Sequence, residues 1–247
     1  MRYYLSVLLD SDATFGRGEG VAGLVNVEIT HDSAGCPFLG GRALKGLLRE
    51  SWHEIRDALE RSQCSARQRV ALTAARLLGE SGAGFGDTGG RAAMMRVQAA
   101  TLPPSLRSQL HTEVAARHIT PTVVLDALTT IRRQTARDPE TGAPAVGALR
   151  AMRVLLRDTA LLAALDFTEP PQNDDLALLA AIALGVRRAG TARNRGRGRI
   201  RLLLHTVAPD GPGAHDEPED YADSACTHHH FAAFAALVKG AAGHAAA

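Results

Sequence analysis

Lysine is almost missing from this chain: among its 28 basic residues only Lys45 and Lys239 are lysines. Its cationic chemistry is therefore arginine chemistry, a planar donor fork suited to phosphate and carboxylate rather than a mobile point charge. Aromatic residues are scarce at 4%, with one tryptophan, Trp52. Three cysteines, Cys36, Cys64 and Cys226, have neither metal nor redox spacing. That excludes a disulfide framework and predicts a reducing, cytoplasmic setting. The apolar run in the opening MRYYLSVLLDSD is too short for a signal peptide or a membrane span. No later segment is apolar for long enough without charge, so no membrane partner is expected. The glycines at 16–23 match no dinucleotide fingerprint, and the run at 79–90 lacks the GK[ST] ending of a P-loop. What remains is an ordinary globular composition, 45% hydrophobic over 247 residues, enough for a sizeable core.

The net charge of +2 conceals segregation. Residues 186–203, VRRAGTARNRGRGRIRLL, hold seven arginines, three glycines and no acid. By contrast, Asp210, Asp216, Glu217, Glu219, Asp220 and Asp223 form a purely acidic stretch. Local fields, more than net charge, decide whether a polyanion is attracted. Glycine permits positive φ and close approach of backbone to ligand. An Arg/Gly loop between a helix-like and a strand-like run thus reads as a phosphate-gripping loop, and its length suggests nucleic acid. A solvated basic surface is the plainer alternative.

Hydrophobic periodicity supplies the frame. Residues 2–9 alternate, with Leu5, Val7 and Leu9 on one face and Tyr4, Ser6 and Leu8 on the other, as a first strand would. Residues 25–29 and 36–39 are extended pieces around a turn at 31–35. Residues 42–61 form a helix with Leu44, Leu47, Leu48, Trp52, Ile55 and Leu59 on its apolar face. Arg42, Lys45, Arg49 and His53 line a neighbouring stripe, and basic residues in a first turn oppose the helix dipole unless an anion binds there. A second helix is expected over 67–78, extended chain over 93–102 and 119–128, and an exposed hairpin arm over 132–149 around the DPETG turn. Residues 152–167 are apolar and mixed. A helix over 174–188, a last strand over 199–205, a loose acidic linker over 207–224 and an Ala-rich helix over 229–239 complete the chain. The order predicts an α+β, ferredoxin-like sheet carrying insertions.

Two motifs in this order, HDSAGCPFLGGRALKGLLRE at 31–50 and GTARNRGRGRIRL at 190–202, resemble the RAMP superfamily of CRISPR type III effector complexes. The intervening TARDPETGAPAVGAL is similar to that family's thumb hairpin. The resemblance implies an RNA-recognition-like domain over 1–206 with a thumb insertion at about 119–160, followed by an acidic linker and short C-terminal helix over 207–247. It implies a backbone-type subunit, in a range that takes in type III-D and type III-E relatives, that assembles with other RAMP-family subunits along a CRISPR guide RNA and meets target RNA. The family's first-helix segment and glycine loop grip RNA phosphates. Carried over, this nominates Arg42, Lys45 and Arg49, the thumb residues Arg132, Arg133 and Arg137, and Arg193, Arg195 and Arg197 of the loop with Gly190, Gly196 and Gly198.

One departure bears on chemistry. Family members that cut target RNA carry an aspartate six residues ahead of the motif's leading acid. Here the leading acid is Asp32 and the earlier position is Asn26. An amide can hydrogen-bond but can neither bring charge to a divalent cation nor accept a proton. The expectation is a guide-binding subunit without catalysis or cofactor, with Asn26, Glu28 and Asp32 as the remnant of a site. Two alternatives stay open: a magnesium-dependent endoribonuclease using Glu28 or Asp32, and a metal-free guide-processing ribonuclease using His31 or His53. A non-CRISPR α+β binding protein is the bland reading. The run His228–His230 beside Cys226 lacks structural-zinc spacing and reads as solvated. Trp52 reads as core. Tyr3 and Tyr4 could pack or stack on bases.

Overall fold

A computed structural model describes residues 2–16, 18–20, 25–80, 90–137, 140–207 and 220–243. Four strands make one antiparallel sheet: β1 (Arg2–Leu9), β2 (Met95–Val97), β5 (Ala160–Phe167) and β6 (Ile200–Val207), in the order β2-β5-β1-β6. Between β1 and β2 lie α1 (Gly41–Arg61) and α2 (Arg67–Leu78). Between β2 and β5 come α3 (Pro104–Ala115), α4 (Pro121–Leu128) and a separate two-stranded sheet of β3 (Thr129–Arg137) with β4 (Pro144–Leu155). α5 (Asn173–Gly185) leads from β5 to β6, and α6 (Ala225–Gly243) ends the described chain. Without the α2–α4 and β3–β4 additions this is the βαββαβ order of a ferredoxin-like sheet.

The pleat sorts β1 as its alternation requires. Leu5, Val7 and Leu9 are buried in the main core with Leu161, Ala163, Ile200, Leu202 and Leu204, beneath Leu44 and Leu48 of α1. α5 is apolar on every side because helices and sheet surround it, and Leu178, Leu179, Ile182 and Ala183 are all buried. Its one buried acid, Asp175, closes a capping box with Gln172 and pairs with Arg76 of α2 at 2.7 Å. The other sheet face carries a small cluster of Leu8, Leu203 and Tyr221. There the buried Ser6 hydroxyl donates to the Tyr221 carbonyl at 2.8 Å and lies 2.9 Å from His205 Nε2.

Several elements depart from the periodicity. Of residues 119–128, expected to be extended, 121–128 instead form α4. Thr120 caps its N-terminus, accepting from the Val123 amide at 3.3 Å, and Pro121 occupies the first turn. This local chemistry overrides the β-branched composition of TPTVV. α3 buries none of its residues fully, although Leu106, Leu110 and Val114 repeat at helical spacing and the last two pack partly against the core. Residues 25–29 join no named strand; they make single bridges, Val27 to Met152 and Ile29 to Gly16. α5 stops at Gly185, which leaves Arg187 and Arg188 outside the helix. α6 starts four residues earlier than the alanine run suggests and docks on the body, Thr227 Oγ1 accepting from the Leu204 amide at 2.7 Å. The tip of the expected arm (138–139), the glycines at 21–24 and 81–89, and Asp210, Asp216, Glu217 and Glu219 lie outside the described residues.

Candidate nucleic-acid interface

The Arg/Gly loop is held in shape by the segment that follows β1. Ala189 and Gly198 amides donate to Gly198 and Asp12 carbonyls at 2.8 and 2.9 Å, and the Thr191 amide donates to the Thr14 carbonyl at 3.0 Å. Ser11 Oγ accepts from the Arg199 amide at 2.9 Å. Gly190 and Gly198 have φ of +85° and +69°, and a Cβ on either would strike a backbone carbonyl, that of Thr14 or of Ala189. Only glycine meets both demands. Between these posts a short 3-10 turn, Arg193–Arg195, presents Arg193 and Arg195, followed by Gly196 at φ +79°.

Opposite the loop stand α1 and the root of the β3–β4 arm, and together they enclose an open cleft of about 900 Å³. Arg150, Arg187, Arg188, Arg193 and Arg195 line it, with Glu50 and Glu54 of α1 on one wall. Arg193 reaches Glu50 at 3.0 Å, an exposed pair of small energetic weight. Arg188 donates to the Arg193 carbonyl. Arg195 is exposed, and its side chain has no hydrogen-bond or ion-pair partner among the described residues. The buried Gln134 Oε1 beside the cleft likewise has no partner there. Arg197 is half-buried against the Met152 sulfur. Burial, then the nearby Arg132, pushes its pKa down, with Asp12 opposing and Arg195 adding to the repulsion. It stays charged. The field in this corner is positive and incompletely neutralised.

The nominated residues do not all converge. Arg193 and Arg195 line the cleft; Arg132 pairs with Asp12 at 2.8 Å beside Arg197; Arg133 is exposed on β3; and Arg137 stands in register with Pro144. Lys45 and Arg49 of the α1 stripe flank the helix's buried face on the other edge from Glu50 and Glu54. Lys45 donates to the Met95 carbonyl at 2.9 Å, and Arg49 donates to the Leu78 and Gly79 carbonyls at 2.8 and 3.1 Å. These two cations tie α1 to β2 and to the C-terminus of α2, where positive charge favours the helix dipole. Burial, then Arg49, lowers the Lys45 pKa. Arg42 and His53 of that stripe are exposed, with no side-chain partner among the described residues. Residues that sequence reasoning did not single out are Arg150, Arg187 and Arg188 in the cleft, although the last two stand in the same acid-free run.

The remnant acids are each engaged. Asn26 bridges to the arm: its amide N–H donates to the Ala151 carbonyl, and its Oδ1 accepts from the Ala151 amide, both at 2.7 Å. Glu28 is 3% exposed and pairs with the buried Arg153 at 3.0 Å. Arg153 also reaches Asp126 at 2.7 Å and Thr129 at 3.0 Å, so this network pins the arm's root to α4 and to the segment before motif one. Asp32 builds the turn. Its Oδ1 accepts from the Ala34 and Cys36 amides, both at 3.0 Å, and its Oδ2 from Arg107 at 3.1 Å and His111 at 2.8 Å. Burial pushes the Asp32 carboxyl up, but these bonds outweigh it and hold the pKa below the usual range. His31 lies 3.0 Å from the Asp32 carbonyl, whereas His53 is exposed on α1.

No carboxylate oxygen of Glu28 or Asp32 is free of protein donors, so these residues do not fit a magnesium ion. Asp32, Cys36 and His111 offer ligand atoms within 4.8 Å of one another. Yet the buried Cys36 thiol is pushed up to about 11 by burial and by Asp32, and Arg107 already sits on the carboxylate. That cluster is a hydrogen-bonded turn rather than a cation site.

A glycine loop laced to the segment after β1, a paired thumb-like arm and a ferredoxin-like sheet coincide with a match of residues 10–201 to the RAMP superfamily model. The chain belongs to the RAMP superfamily. No curated protein is similar enough to count as a match. Among solved structures, this RAMP chain is similar to a subunit in the cryo-EM structure of the type III-B Cmr-beta complex in its apo state: 12% identity, TM-score 0.53, 83% of this chain and 97% of the other. A subunit of type III-B Cmr-beta bound to cognate target RNA gives 12% identity, TM-score 0.55 and the same coverage. At that identity the likeness establishes the shared fold. No helix among the described residues is long and apolar enough to cross a membrane.

Proposed function

We propose that this RAMP protein holds the guide RNA of a type III-like CRISPR effector complex through its phosphates, as part of cytoplasmic antiviral defence, and does not itself cut RNA. The observation that carries the reading is the basic cleft between the Arg/Gly loop and the arm's root, where Arg150, Arg187, Arg188, Arg193 and Arg195 meet against two glutamates. Five guanidiniums on a backbone of fixed shape suit a run of phosphates and read no base. The relatives in type III-B Cmr-beta complexes, one of them bound to cognate target RNA, support other effector subunits and RNA as partners. Absence of cutting follows from the donors already placed on Glu28 and Asp32 and from the amide at Asn26.

The test is reconstitution of the complex with guide RNA, followed by challenge with target RNA and magnesium. The expected result is guide-dependent assembly with no cut assignable to this chain. A magnesium-dependent cut that disappears with Asn26→Ala, or with Glu28→Gln or Asp32→Asn in variants that remain folded, would overturn the non-cutting half. Assembly without guide RNA would overturn the other half.

A further inference from the structure

The acid-free run does more than fill one cleft. Arg199, the extended residue just before β6, and Arg201 on β6 are two apart, with Ile200 between them buried in the core. The pleat therefore sends both arginines to the side of the sheet away from α1, about 6.6 Å apart along the strand. β6 is an edge strand. Arg188 bridges to Arg199, and the Ile200 amide donates to the Arg187 carbonyl at 3.0 Å, so the two arginine pairs are stitched side by side. Beside them a second open cleft of about 630 Å³ is lined by Arg187, Arg188, Arg199, Arg201, Asp10 and His228. The last comes from the first turns of α6, which closes the far wall.

The charges do not cancel. Arg201 pairs with Asp10 at 3.0 Å. Arg187 and Arg199 are exposed with no side-chain partner among the described residues, and Arg188 spends its bond on a neutral carbonyl. Asp223, between the lining residues Ala222 and Ser224, caps the α6 N-terminus by accepting from the Ala225 amide at 2.9 Å. Arg187 and Arg188 border both this cleft and the loop cleft. Arginines at strand spacing, matched by one carboxylate on Arg201 and none on Arg199 or Arg187 among the described residues, and continuous with another arginine-lined groove, suit an extended polyanion better than an isolated small anion.

We infer that the cleft between the β6 edge and α6 is a second phosphate site for single-stranded RNA, continuous over Arg187 and Arg188 with the loop cleft. It rests on the RNA-holding reading and lengthens the footprint assigned there. Arg199 and Arg201 take the phosphates next along the strand after those held by Arg193 and Arg195. The contact is to backbone phosphate, so it adds affinity and salt dependence without sequence preference.

The experiment compares oligouridylates of increasing length, titrated against the full chain and against Arg199→Gln/Arg201→Gln and Arg193→Gln/Arg195→Gln, at several salt concentrations. The expected outcome is that Arg193→Gln/Arg195→Gln weakens binding at every length. Arg199→Gln/Arg201→Gln should leave the shortest oligomers unaffected and weaken the longer ones several-fold, with the salt slope falling by about 0.7 per lost contact. Circular dichroism and melting of both variants show whether the fold is kept, and Arg199→Lys, which keeps the charge, should restore most of the long-oligomer affinity. If only Arg193→Gln/Arg195→Gln matters at every length, the second site is wrong while the loop reading stands. If wild type binds no RNA, both fail. If Arg199→Gln/Arg201→Gln leaves RNA affinity intact but blocks assembly with other subunits, the cleft serves protein carboxylates and the inference is overturned.

Discussion

At the scale of single residues, the chain uses its acids to hold shape. Glu28 and Arg153 form a buried pair, 3% and 5% exposed, at the root of the arm. Removing one partner strands the other charge out of water, a loss of roughly 3–5 kcal/mol. Glu28→Ala is expected to lower unfolding free energy by about 3 kcal/mol in urea titration, toward the low end because Arg153 keeps Asp126 and Thr129. A change near zero would mean that the pair does not anchor the arm. Asp32 makes a second prediction. Its carboxyl binds a proton less readily folded than unfolded, because donors hold its pKa down. It therefore adds stability above the unfolded aspartate value of about 3.9, and that contribution fades as pH falls through this value toward the lower folded one. Asp32→Asn should flatten the acid limb of a stability–pH curve while changing little of its shape near neutrality. An unaltered acid limb would refute the assignment. The sequence showed that Asn26 lacks a carboxylate, because identity alone settles that. It could not show that Glu28 is buried, since its partner lies 125 residues away and only the fold joins them.

At the scale of elements, legibility followed local pattern. The helix α1 was readable from its apolar stripe, and Leu44, Leu48, Trp52 and Leu59 are indeed buried. The polar side was not, because periodicity fixes which residues face the core but not which neighbour meets each flank. Lys45 and Arg49 lie beside the buried face and bond to backbone, whereas Glu50 and Glu54 look into the cleft. The Arg/Gly loop was readable as a glycine-dependent turn because its chemistry is local. Gly198→Ala tests it. A methyl at φ +69° is strained by about 1–2 kcal/mol and meets the Ala189 carbonyl, so the loop must shift. RNA affinity should fall several-fold with a small change in melting temperature. Gly196→Ala, open on all sides, should retain more affinity because only the φ cost applies. Equal and negligible effects at both positions would show that loop shape is not needed for binding.

At the scale of the whole molecule, a net charge of +2 hides a directional field. Arginines gather along one run that borders two clefts, and the core elements serve mainly to present it. The ferredoxin-like order was legible from alternation and helical spacing; of the insertions before the arm, α3 carries a narrow helical stripe of Leu106, Leu110 and Val114, whereas α4 was hidden by its Thr-Pro cap and β-branched start. Counterion release converts such a field into a measurable quantity, the slope of log affinity against log salt. That slope is the direct test of phosphate gripping by the loop. Wild type should bind single-stranded RNA with a steep negative slope, and Arg193→Gln/Arg195→Gln/Arg197→Gln should make it shallower by about 2 units, roughly 0.7 for each lost phosphate contact. A triple variant that stays folded and keeps the wild-type slope would contradict the assignment of this loop to RNA.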